Sequence, residues 1–139
     1  MSPNLMETLE PKVEMGWTPN TRVMPSGIAV AALMASMLGM LTLAVVNVFT
    51  AASKGFNTWV HGIGKLWMPG AAGIGPYSGK ETISLVVWLG TWIVLHYALR
   101  ERELKLSTWL VVFLVGVGVA TTLIWPPVFE HLAKSLAGH

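Results

Sequence analysis

Charge is scarce in this 139-residue chain, and cysteine and aspartate are missing altogether. Charged residues make up 12% of it, about half the share that soluble domains carry. That is too little to cover a globule of this size, which argues against a soluble enzyme. Hydrophobic residues at 53% argue equally against a disordered chain. Without cysteine there is no disulfide scaffold and no thiolate metal site. Nine Lys and Arg stand against seven acidic residues, a formal charge of +2. The basic residues are scattered beside apolar runs rather than gathered in the stripe a nucleic-acid binder needs. No nucleic-acid partner is expected.

What the chain has is apolar length, with a mean hydropathy of +0.60. Uncharged runs extend over residues 27–52, 82–99 and 107–129. At about 1.5 Å rise per residue, each approaches or exceeds the roughly 30 Å hydrocarbon core of a bilayer. Barrel strands would alternate polar and apolar residues, and these runs do not. The expected fold is an all-α integral membrane protein. It has transmembrane helices at 27–52, 79–99 and 107–125 and an interfacial amphipathic segment between the first two. Pro126-Pro127 should stop the third helix near Trp125, since proline lacks the donor and clashes with the preceding turn. Ser78-Gly79-Lys80-Glu81 fits a capping box that would start the second helix at Gly79. Pro25-Ser26 marks the start of the first. The charged link over residues 100–106 is short enough to predict an antiparallel hairpin of the second and third spans.

The tail over residues 1–26 carries Pro3, Pro11, Pro19 and Pro25 and three glutamates. It has no early apolar core, so no cleaved signal is expected and the first span reads as an uncleaved anchor. The link holds Arg100, Arg102 and Lys105. The positive-inside rule then places the N-terminus inside and the C-terminus outside, in a prokaryotic cytoplasmic or intracytoplasmic membrane.

Between the first and second spans, Phe56, Trp59, Ile63 and Trp67 fall at helical spacing, with Lys54, Asn57, His61 and Lys65 opposite. This is the pattern of a helix lying in the interface and anchored by aromatics. Gly55, Gly62 and Gly64 weaken it as a free helix, so lipid or a partner subunit is expected to hold it. Residues 68–79 (MPGAAGIGPYSG) predict a tight re-entrant turn. Gly79-Lys80 before a helix suggests a phosphate loop, but Ile74 and Glu81 stand where that pattern needs Gly and Ser or Thr. No nucleotide is expected. In the C-terminal tail over 126–139, Val128, Leu132 and Leu136 form one side, and Glu130 and Lys134 an i, i+4 pair on another.

The clearest assembly signal is steric. Gly27, Ala31, Ala35 and Gly39 recur every four residues on the first span, and Gly116 pairs with Ala120 and Gly118 with Thr122 on the third. Helix association in lipid relies on such close packing. Asn47 continues the same face and predicts an interhelical hydrogen bond. No charged residue is expected inside the membrane between the helix ends, which argues against a pump or transporter acting alone.

Two sets of residues carry candidate chemistry or binding. His96 follows Trp88 and Trp92 by two turns and one turn, and its imidazole could ligate haem iron or chlorophyll magnesium. A two-histidine haem needs a second histidine at that depth, and neither other span has one. His61, Glu130 and His131 share one predicted side and could bind copper or zinc. Bound lipid is expected along the spans.

The leading expectation is a non-catalytic accessory subunit of a larger respiratory, photosynthetic or oxygenase membrane assembly, with other integral membrane subunits and lipid as partners. A cofactor-binding anchor using His96, and a self-associating pore former of the holin type, are the alternatives.

Overall fold

The computed structural model describes residues 25–138; the proline-containing tail over 1–24 lies outside them. The described residues form six helices: α1 (Ser26–Ala52), α2 (Lys54–Lys65), α3 (Ala71–Ile74), α4 (Tyr77–Leu99), α5 (Leu106–Ile124) and α6 (Pro126–Ala137). Helices α1, α4 and α5 are long and apolar enough to cross a membrane. At about 1.5 Å per residue they measure about 40, 34 and 28 Å.

Helix α1 is the centre of the fold. Its buried residues run from Gly27 to Thr50, whereas α4 buries Ser78 and Gly79 and α5 buries Ala120. Two stripes on α1 explain this. Gly27, Ala31, Ala35 and Gly39 are buried on one side, where Gly39 meets Trp88 and the Ser84 hydroxyl donates to the Gly39 carbonyl at 2.6 Å. On another side Met37 lies against Gly116 of α5. Helix α4 runs antiparallel to α1, and α5 runs parallel to it.

No Cα of α4 comes within 8 Å of one in α5. The second and third spans run antiparallel as expected but do not pack on each other as a hairpin, and the three long helices lie in a row with α1 between the other two. The link fixes the chain's course at one end only. It crosses the start of α1, where the Gly27 amide donates to the Arg102 carbonyl at 3.0 Å. The Ser26 hydroxyl accepts from the Leu104 amide at 2.7 Å and donates to its carbonyl at 2.8 Å, with the Glu103 carboxylate at 3.2 Å as a second acceptor. Crossing over α1 rather than turning back along α4 delivers α5 to the far side.

At the other end, Ser53 ends α1 in extended backbone and caps α2, its hydroxyl accepting from the Phe56 amide at 3.3 Å. Phe49, Phe56 and Trp59 meet across this elbow, Phe49 edge-on to Phe56 and Phe56 tilted against Trp59, with successive ring centroids 6.0 and 5.6 Å apart. Helix α2 also finds support within the chain. Val60 and Gly64 are buried, and α2 packs on α4 more extensively than on α1. Of the expected anchors, Ile63 is half-buried, while Trp59 and Trp67 project outward. Trp67 lies just beyond α2, and its indole N–H donates to the Thr82 hydroxyl at 3.0 Å.

The predicted capping box at Ser78 and Glu81 is not made. Helix α4 starts at Tyr77 with Pro76 in the cap position and no side-chain cap. Ser78 sits inside the first turn, and its hydroxyl is buried without a partner among the described residues. The reason is steric: Gly64 approaches Ser78 and Gly79 so closely that this face of α4 is given over to the crossing. The glycine-rich turn before α4 holds the short helix α3 between Gly70 (φ 82°) and Gly75 (φ 70°), a left-handed backbone that glycine adopts without steric cost.

Pro126 and Pro127 end α5 and begin α6, the first helical turn being where proline is tolerated. Ala133 is buried, and Leu132 joins Val45, Phe49 and Leu123 around a small cleft. Glu130 and Lys134 do not close an ion pair; among the described residues Arg100 and Glu101 do, at 3.4 Å. Both side chains of the α6 pair point out to solvent, where such a pair is worth little.

Candidate functional site

The polar residues of the fold gather where α1, α4 and the end of α5 meet. Asn47, the amide of the small-residue face, accepts a hydrogen bond from the Lys80 ammonium at 2.8 Å. The same ammonium lies 5.2 Å from the centre of the Tyr77 ring, within the range of a cation–π contact. Lys80 is in the first turn of α4, so the sequence reading that kept charge outside the spans missed it. No local signal marks the pairing: Lys80 stands in the first turn whether the helix starts at Gly79 or at Tyr77, and the approach of α1 supplies its acceptor.

Asn47, Tyr77, Lys80 and Glu81 line a pocket of about 170 Å³ together with Leu43 and Ile124. Leu43 and Glu81 also line a second groove of about 310 Å³, which continues along α1 and α4 past Met40 and Leu85 to Trp88. The two make one furrow, polar at the connector end and apolar along its length. Among the described residues Glu81 has no hydrogen-bond or ion-pair partner.

Asn47→Leu leaves Lys80 without its acceptor and is expected to cost about 1–2 kcal/mol. Lys80→Met alone should cost a similar amount, and the double variant less than the sum, because neither polar group is then left alone. Denaturant titration of the chain in detergent micelles reads this coupling; strictly additive losses would mean the bond contributes nothing.

No protein family, curated protein or solved structure matches this chain. Its function is therefore argued from its own residues.

The structure places the other candidate residues as follows. Gly27 faces the Leu99 and Arg102 carbonyls, so its role is to let the link pass, and Ala31, Ala35 and Gly39 are buried in the packing of α1. A pore built on that face of α1 would have to separate α1 from α4. Gly116 and Ala120 pack on the α1 side of α5, whereas Gly118 has no neighbour within 4 Å and Thr122 is exposed.

His96 is half-buried near the link end of α4, its ring 5.7 Å from Trp92 and 5.8 Å from Tyr97. Its Nδ1 is buried without a hydrogen-bond partner among the described residues. A metal-ligating imidazole ordinarily donates from its second nitrogen to a carboxylate, carbonyl or water. The other histidines among the described residues, His61 and His131, are at the opposite end of the row, so neither can be a second axial ligand beside His96.

The expected metal set of His61, Glu130 and His131 is not assembled. Helices α2 and α6 make no Cα approach within 8 Å, and no group of three His, Cys, Asp or Glu able to hold a metal occurs among the described residues. Helix α2 leaves the elbow toward α4, whereas α6 folds back on α1 and α5, which separates the residues that one predicted side had brought together.

Proposed function

We propose that this chain is an integral membrane protein and a non-catalytic accessory subunit of a larger membrane assembly. The observation that carries the proposal is a bare glycine at the middle of an uncovered helix face. On α4, Val86, Val94 and Tyr97 are 64%, 66% and 67% exposed. Gly90 stands between them at helical spacing, with nothing within 4 Å of where a side chain would begin. A mid-helix glycine costs about 0.5–1 kcal/mol relative to alanine, and no contact among the described residues offsets it.

In lipid, apolar surface alone does not bring helices together, whereas a glycine lets a second backbone come close. Gly118, beside Val111 and Val115 on α5, repeats the arrangement on the other side of the row. The expectation of a partner helix thus moves from the face of α1, which α4 occupies, to the outer faces of α4 and α5. Respiratory, photosynthetic and oxygenase assemblies are the first in which to seek the partner.

The chain has no cysteine, so Val94→Cys provides a unique crosslinking position. In native membranes it is expected to yield an adduct with a different polypeptide. Gly90→Leu should abolish that adduct and the chain's co-migration with the complex while leaving the isolated chain at least as stable as before. An uncrosslinked chain that migrates alone, or an adduct that survives Gly90→Leu, overturns the proposal.

A further inference from the structure

We infer that the furrow between α1 and α4 is a binding site for one phospholipid whose headgroup carries both a phosphate and a primary ammonium, as in phosphatidylethanolamine. The inference rests on the membrane reading above. Its basis is the two unlike charges placed in a single pocket without being paired to each other. Lys80 uses one of its three N–H donors on Asn47. The other two have no acceptor among the described residues, and Glu81 has no donor. Both line the 170 Å³ pocket at the connector end.

The headgroup choice follows from this pair. A phosphate offers acceptors to the Lys80 ammonium, and charge-assisted bonds of this kind are the stronger class. A purely anionic headgroup would bring its charge against the Glu81 carboxylate with nothing to offset it. A quaternary ammonium would satisfy the sign of Glu81 but has no N–H to donate. A primary ammonium provides both the charge and the donors. The apolar part is matched too: from Glu81 the groove continues past Leu43, Met40 and Leu85 to Trp88, about 10 Å farther along α4. One acyl chain can lie there against Met40, Leu43 and Leu85.

The test is native mass spectrometry of the full chain, purified from membranes and equilibrated with equal amounts of phosphatidylethanolamine, phosphatidylcholine and phosphatidylglycerol of the same acyl composition. Retention of phosphatidylethanolamine is expected to exceed that of either competitor by about fivefold, the upper range for a partly exposed ion pair. Glu81→Gln should reduce that preference to less than about twofold and raise phosphatidylglycerol, since the carboxylate that repels it is gone. Lys80→Met should lower retention of all three. Glu81 has no side-chain partner among the described residues, so its variant remains informative if Lys80→Met does not fold.

Equal retention of the three lipids, a dominant phosphatidylglycerol, an unchanged preference in Glu81→Gln, or capture of an uncharged amphiphile instead would each overturn the inference. Alkaline carbonate extraction of the starting membranes separates the two levels. A chain released by carbonate fails the membrane reading, and one that stays in the membrane but shows no lipid preference fails this inference alone.

Discussion

Gly79→Ala lifts α2 from α4 and destabilises the folded chain by about 2–3 kcal/mol. A β-carbon at this position would land on the carbonyl oxygen of Val60, with the Val60 side chain a further 2.9 Å neighbour. The obstacle is mainly backbone, so no rotamer change relieves it. Gly64 faces the same crossing from α2, 2.9 Å from the Gly79 amide nitrogen if given a β-carbon. Separating the two helices also breaks the Trp67–Thr82 hydrogen bond. Denaturation followed by tryptophan fluorescence reads the loss, because Trp59 and Trp67 flank the crossing. Gly62→Ala is the matched control: Gly62 has nothing within 4 Å, and alanine there should be neutral or stabilising by up to about 1 kcal/mol. Equal stabilities for Gly79→Ala and wild type would refute the close crossing.

Gly27→Ala is expected to release the link at the opposite end, at a cost of about 3 kcal/mol. The added carbon would meet the Leu99 carbonyl oxygen and lie 2.7 Å from that of Arg102. Those oxygens are held by the turn itself, with the Arg102 amide donating to Leu99 at 2.9 Å. Moving the link also removes the bonds that Ser26 makes to Leu104 and Glu103. Ser26→Ala removes only those bonds and should cost less, about 1–2 kcal/mol. The link contains Arg100, Arg102 and Lys105, so limited trypsin digestion is a direct readout. Faster cleavage between α4 and α5 is expected in Gly27→Ala, and a cleavage rate equal to wild type would count against the contact. The two ends of α1 are far apart, so the Gly27 and Gly79 effects should add.

The long helices were legible because their signal is local: an uncharged run and a hydropathy that nothing else in the sequence imitates. Pro126-Pro127 was legible for the same reason, since proline restricts its own backbone wherever it stands. The arrangement of the spans was not. A short link states that two helix ends are close; it says nothing about the side from which the second helix departs, and here α1 lies in between. The small-residue stripe announced a close approach without naming the partner. Gly64 and Gly79 were read one at a time, as a weak point in a helix and as half of a phosphate loop. Each makes sense only against the other, and a pairwise fact of that kind leaves no mark on spacing. The candidate site followed the same pattern. Asn47 is identified by its isolation on an apolar face, whereas Lys80 reads as an ordinary helix-end charge until the approach of α1 gives it an acceptor 33 positions away.

The row of helices also orders the birth of the fold. The first long helix to leave the ribosome is the one on which both others depend, and the later two do not touch each other. Ser26 closes on Leu104 across 78 positions of chain, so the structure is locked at its beginning by a segment made near its end. Loop-closure entropy must be met before that contact gives anything in return. Until then the first helix waits in a form that its own sequence cannot complete.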